Sequence, residues 1–476
     1  MKTPSNACAI THEWVEFVVQ QYEAKKTQPN ISIKLTSFNV AQATKPGESF
    51  NAELVLLTAS AELHQQSNDS ESSPPLKKDY SFIVKFLSLD PFSRELIKIA
   101  KYHVRELMMY SNVVSDLNSH WLANAVNQDE DQRLCVPEYI YGICNASEYV
   151  LVMENCKANR FELKDKTQGL DLEHTMLAVQ HIARLHALSR SYSLSSDLCK
   201  EYPMFKFDPV VSSLFKPVVI TAIENAIKYL RTLPEHKEIL AKLEKGRHGL
   251  SQKYQRMWDD QSRHQMLCLT HGDYWINNLL FRYNLNEEDG QHKLEDIKLI
   301  DWQIAQWSNP VFDLHYLLNT STTAALRENH LNAILRHYHT TFMSISDNLK
   351  TPVPDWNFEQ FMAEFGRTSL VGFLMGMCLI QGTLSKAGEK INPNAGSSSG
   401  RPGRSLTGKF KSVAAKVIVP VAVRPSSQFI IKMAIKKMLS PIAQELIEGK
   451  NTIMNDRFME LLLEAEKKGL LDVLSM

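Results

Sequence analysis

The segment His271-Gly272-Asp273-Tyr274-Trp275-Ile276-Asn277-Asn278 sets an aspartate five residues ahead of an asparagine, and Ile300-Asp301-Trp302-Gln303 follows a strand-like stretch. A spacing of H-x-D-x-x-x-x-N, with a further aspartate at a later strand end, is what phosphoryl transfer to a hydroxyl requires. Asp273 would orient the attacking hydroxyl and accept its proton, while Asn278 and Asp301 would hold a magnesium ion against the phosphates. The metal is needed because the transferring group spreads negative charge that must be neutralised in place. Taken singly, a His-Gly-Asp turn is an ordinary polar loop and an Ile-Asp-Trp an ordinary strand end. Their order, with a strand between them, supports the catalytic reading. Asp313, in Pro310-Val311-Phe312-Asp313-Leu314, is expected to be structural and to anchor the loop after Asp301. His271 is expected to be structural, because a carboxylate already takes the proton.

Such chemistry also needs a lysine for the α- and β-phosphates of ATP, paired with a glutamate on the next helix. Lys85 sits mid-strand among apolar neighbours, where an unpaired ammonium is costly to bury, so it calls for a partner or a phosphate. Glu106 is the expected partner over Glu95, lying mid-helix with Tyr110 one turn on, whereas Lys77 and Lys78 read as solvated loop charges. A phosphate-covering turn is expected at Pro46-Gly47-Glu48-Ser49-Phe50-Asn51, where Gly47 is the only glycine and Ser49 or backbone N–H groups would do the covering. Two other matches are set aside. Gly396 to Gly400 has the form of a hydrolase elbow without its flanking strand and helix, and Gly403 to Lys409 has Phe410 where a Walker A loop needs Ser or Thr.

The elements that must position these residues are readable in outline. A first amphipathic helix precedes a hairpin from Ile31 to Val40 and Leu54 to Leu57, then an exposed loop over His64 to Asp79. Tyr80, Phe82, Val84 and Phe86 alternate on one strand face with Lys85 on the other. The spacing predicts a helix over Arg94 to Val114, then a hairpin from Pro137 to Cys144 and Tyr149 to Met153. Beyond Glu154 helices dominate, over Leu172 to Tyr192, Pro217 to Leu230, Glu235 to Trp258 and Trp356 to Leu384. Strand signals return briefly at Leu267 to Leu269, Leu279 to Phe281 and Ile297 to Ile300. A sheet-rich region followed by a helical one predicts an α+β, bilobal kinase-like layout, with a nucleotide-binding lobe over 1–153 and a helical lobe over 154–476.

With 476 residues, 44% hydrophobic and 22% charged, the chain can build a sizeable core, which excludes collagen-like, coiled-coil and wholly disordered classes. Lysine plus arginine equal aspartate plus glutamate at 53 each, so no global field favours nucleic acid or an anionic membrane. Seven cysteines without a C-x-x-C pair suit a reducing, cytoplasmic setting. The apolar run Leu370 to Ile380 is shorter than the about 20 residues of a bilayer span, so a buried helix is expected and no stable membrane insertion. Basic residues crowd the stretch from Ser385 to Lys437, with a low-complexity insertion over about 385–425. Within it Asn392 to Gly408 reads as a dispensable disordered loop.

His-Gly-Asp-x-Trp-x-Asn-Asn, then Ile-Asp-Trp-Gln and Asp313-Leu314-x-Tyr316, resembles the ecdysteroid kinase-like family, small-molecule kinases of the aminoglycoside-phosphotransferase and choline-kinase type. Gly47-Glu48-Ser49-Phe50, Glu106-x-x-x-Tyr110, Leu151-Val152-Met153-Glu154 and Leu185-His186-Ala187 carry the resemblance across His12 to Leu384. The resemblance implies a protein-kinase-like fold, with ATP and magnesium as cofactors. It further implies that Met153 and Asn155 contact the nucleotide at a hinge, and that an ecdysteroid or another hydrophobic alcohol, dietary or foreign, is the acceptor. Ser49, Asn155 and Trp302 stand where the family usually has Asn, Asp and Phe, and none of these departures removes a catalytic group. A catalytically silent member that binds nucleotide or ligand is the alternative.

Overall fold

The computed structural model describes residues 2–26, 31–43, 52–65, 75–89, 91–145, 147–259, 266–285, 292–386 and 428–475. Gly47, Ser49 and the Asn392 to Gly408 segment lie outside the described residues. Contacts divide the described chain into two units, residues 2–113 with 136–161, and residues 114–135 with 162–386 and 428–475.

In the first unit, helix α1 (His12–Lys26) precedes strands β1 (Ile31–Gln42), β2 (Ala52–Gln65) and β3 (Leu76–Leu87). Helices α2 (Pro91–Ile99) and α3 (Tyr102–Met108) come next, and the hairpin β4 (Tyr139–Cys144) and β5 (Tyr149–Glu154) closes the unit. The antiparallel sheet runs β1-β2-β3-β5-β4. Side chains alternate across it, so Val55, Leu57, Phe82, Val84, Phe86, Val150 and Val152 pack with Trp14, Val15, Val18 and Val19 of α1. The opposite face carries Lys85, which pairs in register with Leu54 and Leu151. The strands run further than anticipated: Leu63 still pairs with Leu76, so the interruption between β2 and β3 is shorter than the loop expected over His64 to Asp79. The single helix expected over Arg94 to Val114 is instead broken, because Lys101 takes the left-handed conformation (φ 55°). Such a φ ends a right-handed helix. The Arg105 guanidinium then donates to the Ala100 carbonyl, and a π turn at Met109–Val113 follows α3.

The second unit contains α4 (Val114–Asn124), β6 (Phe161–Leu163, entered from the first unit), α5 (Leu172–Ser196), α6 (Leu198–Glu201), α7 (Pro209–Leu230), α8 (Lys237–Gly246) and α9 (Leu250–Asp259). Four short strands follow: β7 (Cys268–Thr270), β8 (Leu279–Leu285), β9 (His292–Leu299) and β10 (Gln306–Ser308). Then come α10 (Val311–Ser321), α11 (Ala324–Asn348), α12 (Phe358–Arg367), α13 (Ser369–Leu384), α14 (Gln428–Glu448), α15 (Thr452–Lys467) and α16 (Leu470–Ser475). Asp171 caps α5 by accepting the His174 N–H at 3.0 Å, which satisfies one of the orphan donors at its start. Two of the long expected helices are pairs: Glu235 to Trp258 splits between α8 and α9, and Trp356 to Leu384 bends by 51° between α12 and α13. Leu370, Val371, Phe373, Leu374 and Met377 of α13 are buried, as a core helix requires. Among the described residues no single helix is long and apolar enough to cross a membrane, although the bent α12–α13 pair meets that length and composition together. All seven cysteines are free.

Candidate active site

The His271 to Asn278 loop leaves β7, whose pairing with β10 sets Thr270 opposite Gln306. Gly272 has φ +80°, and a Cβ there would lie 2.4 Å from the Ile304 carbonyl oxygen, so only glycine fits. Asp313, buried on α10, holds the start of the loop: its Oδ2 accepts the His271 N–H at 2.7 Å and its Oδ1 the Gly272 N–H at 2.9 Å. His186 of α5 supports Asp313 from behind, with Nε2 3.1 Å from Oδ2 and Nδ1 2.8 Å from the Tyr338 hydroxyl. Asp313 is therefore structural, but the loop it anchors is the one that begins at His271 rather than the one after Asp301. His271 is structural as well. Its Nε2 lies 3.0 Å from the Ile300 carbonyl and its Nδ1 accepts the Asp273 N–H at 3.3 Å, which assigns the proton to Nε2. Burial pushes the imidazole's pKa down, in keeping with that neutral form, and the ring packs 4.4 Å from that of Trp302.

Asp273 is held at both carboxyl oxygens. Oδ1 accepts from the Tyr316 hydroxyl at 2.5 Å, and Oδ2 from the Asn278 amide at 3.0 Å. The same amide nitrogen donates to the Asp273 carbonyl at 2.8 Å. Burial, and then the charge of Asp301, push the Asp273 carboxyl up to about 6, while the bonds from Tyr316 and Asn278 pull the other way. Asp301 itself adopts φ +67°, a left-handed conformation that Asp tolerates better than most residues and that recurs at functional sites. Its Oδ2 accepts from Gln303 Nε2 at 3.2 Å. The Ile300 N–H donates to the Asn278 carbonyl at 3.1 Å, so backbone ties the two acidic segments together.

The donor chemistry fits magnesium. Asn278 spends its amide nitrogen on Asp273, so its Oδ1 is the end that would face a metal, and Asp301 would offer a carboxylate. An oxygen set of this small size suits an ion that keeps waters and binds phosphate oxygens besides. Among the described residues there is no cluster of three His, Cys, Asp or Glu that would offer a rival site.

In the first unit, Lys85 Nζ lies 2.6 Å from Glu106 Oε1. Both residues are buried, at 9% and 2% exposure, so the pair compensates what either charge would cost alone. The Tyr149 hydroxyl donates to Glu106 Oε2 at 3.4 Å. Glu95 lies on α2 and is not this partner. Lys77 and Lys78 lie on β3 rather than in a loop, and Lys78 forms an ion pair with the buried Glu23 at 2.7 Å. Met153 is buried on β5 opposite Ile83 in register, on the sheet face that bears Lys85. Asn155 follows β5 with its side chain committed locally, Oδ1 accepting the Lys157 N–H at 3.2 Å and Nδ2 donating to Ser81 Oγ at 2.9 Å. Any part it takes in nucleotide binding would therefore fall to its backbone.

The ecdysteroid kinase-like family matches residues 46–351, a span that includes Lys85, Glu106, Asp273, Asn278, Asp301 and Asp313. The chain belongs to the ecdysteroid kinase-like family. Its antiparallel five-stranded sheet followed by a mostly helical unit is the α+β fold class anticipated from the sequence. The chain is similar to an ethanolamine kinase of Plasmodium vivax (8% identity over 86% of this chain and 90% of that one, TM-score 0.32). A choline/ethanolamine kinase family protein from Mesorhizobium loti is similar at 12% identity over 85% and 93%, TM-score 0.33. A third similarity is to the GDP complex of aminoglycoside 2'-phosphotransferase-IIIa, at 15% identity over 77% and 97%, TM-score 0.30. No match was found among curated proteins.

Sequence reasoning gave no role to two hydroxyls that this member of the family places on its acidic groups, Tyr149 on Glu106 and Tyr316 on Asp273. Tyr316 had one signal, its position three residues after Asp313 and so on the same helical face. Tyr149 had none, since an aromatic residue at a strand start is ordinary.

Proposed function

We propose that this ecdysteroid kinase-like protein transfers the γ-phosphoryl group of ATP, with magnesium, to a hydroxyl of a small hydrophobic molecule, an ecdysteroid or a foreign alcohol. The observation that carries the reading is the Asp273 carboxyl, held by two donors, bordered by the charge of Asp301 and bonded to Asn278. Asp273 takes the acceptor's hydroxyl proton as the acceptor oxygen bonds to the γ-phosphorus. The bond from that phosphorus to the β,γ-bridging oxygen breaks, and ADP leaves. Bound magnesium supplies charge neutralisation at the phosphates, with Asn278 and Asp301 to hold it. Lys85, fixed by Glu106, is the cation for the α- and β-phosphates. Gly47, Ser49, Met153 and the Asn155 backbone complete the proposed nucleotide contacts.

A screen of hydroxylated steroids and plant-type alcohols with labelled ATP tests the proposal. The expected result is a phosphorylated product that requires magnesium and disappears in Asp273→Asn. Nucleotide binding without product from any acceptor, and without ATP hydrolysis, would favour the silent binding protein.

A further inference from the structure

Helix α10 touches the His271 to Asn278 loop at three heights. Asp313 accepts the His271 and Gly272 N–H groups, Tyr316 donates to the Asp273 carboxyl, and Ser321 Oγ accepts the Ile276 N–H at 2.9 Å. Asp313 and Tyr316 are three residues apart, which puts them on one helical face. One rigid element therefore fixes both the backbone that presents the proposed base and the rotation of its carboxyl group.

We infer that Tyr316 is a positioning residue for Asp273, its hydroxyl setting which carboxyl oxygen and which lone pair meet the acceptor. The inference rests on the phosphotransfer reading above. With Tyr316 on Oδ1 and Asn278 on Oδ2, the carboxyl plane is held from two elements, and losing the Tyr316 bond would loosen its rotation about the Cβ–Cγ bond while the Asn278 bond persists. Tyr316 is itself buried at 6% exposure, so its ring is set by packing before any substrate arrives. Burial and the neighbouring Asp273 raise its phenol well above the ordinary range, which keeps it a donor and rules it out as a second base. Misplacing a reacting group by about 1 Å costs on the order of 10²-fold in rate. Loss of the Tyr316 hydroxyl belongs at or below that scale, because Asn278 remains.

The test is magnesium–ATP turnover with water as the acceptor, on the full chain, for the parent, Tyr316→Phe and Asp273→Asn. Tyr316→Phe keeps the ring and the packing. The expected outcome is a kcat about 10- to 100-fold lower with the KM for ATP unchanged, a split that a general loosening of the unit would not give. Should that variant not fold, ring-fluorinated tyrosines placed at 316 keep the hydroxyl and change its acidity. Turnover should then track phenol acidity at a constant melting temperature, and turnover indifferent to it overturns the inference. If Asp273→Asn is impaired and a folded Tyr316→Phe turns over like the parent, the positioning role is wrong and the phosphotransfer reading stands. If Asp273→Asn also turns over like the parent, both fall together.

Discussion

The two charged sites balance their charge in opposite ways. Lys85 and Glu106 form a closed pair, buried and 2.6 Å apart, with a tyrosine hydroxyl on the second carboxylate oxygen. Asp273 and Asp301 are like charges, and Asp301 helps to push the Asp273 carboxyl up to about 6. The first site is neutral as folded and can be preformed at little electrostatic cost. The second brings two carboxyl groups into electrostatic reach of each other, with Tyr316 and Asn278 donating to one of them, an arrangement that a bound cation would favour. The sheet unit thus holds an ion pair already formed, and the helical unit, on the phosphotransfer reading, an arrangement that metal and phosphate would complete.

Substitutions can break that contrast. The largest effect is expected from Asp273→Asn, which should slow phosphotransfer by about 10²- to 10⁴-fold while keeping nucleotide binding. A full rate in that variant would remove Asp273 from the chemistry. Lys85→Met should deprive the buried Glu106 carboxylate of its lysine partner and destabilise the fold by about 3–5 kcal/mol. The double variant Lys85→Met with Glu106→Gln should recover most of that stability in denaturant melts and none of the activity. Equal stability in the single and double variants would show that the pair is not closed as described.

Asp301→Ala should act on binding, costing about 2 kcal/mol or more of magnesium-dependent ATP affinity by calorimetry. Affinity measured without magnesium should stay the same or rise, and a matching loss in both conditions would argue against a metal role. The smallest effect is electrostatic. In metal-free protein, carboxyl-carbon NMR should find Asp273 titrating near 6, so that it is charged above that pH and protonated below it. Asp301→Asn removes the like charge and should move that titration down toward the ordinary carboxylate range. An unmoved titration would mean that burial and the charge of Asp313 are responsible without Asp301.

The spacing behind the proposed catalytic role is local, so Asp273, Asn278 and Asp301 could be read from one stretch of about thirty residues whose backbone forces them together. Lys85 was equally readable, because a charge within an alternating apolar strand has to find a partner. Helix interruptions were less accessible. Periodicity carries through Lys101 and through the junction of α12 and α13, whereas the left-handed φ at Lys101 and the 51° bend appear only in the folded chain.

The sequence by itself therefore determined the family, the acidic set and the choice of Lys85, since each depends on residue types at short, fixed separations. Tertiary structure decided how those groups are held. Tyr316 lies 43 residues from Asp273 and Tyr149 lies 43 from Glu106, and nothing local to either tyrosine points at its carboxylate. Those bonds exist because α10 is docked on the loop through Asp313, and because Tyr149 of β5 packs on α3, its ring 5.6 Å from that of His103. A hydrogen bond needs donor and acceptor within about 3 Å and in line, and only the packing of whole elements sets distances that small between residues so far apart in the chain.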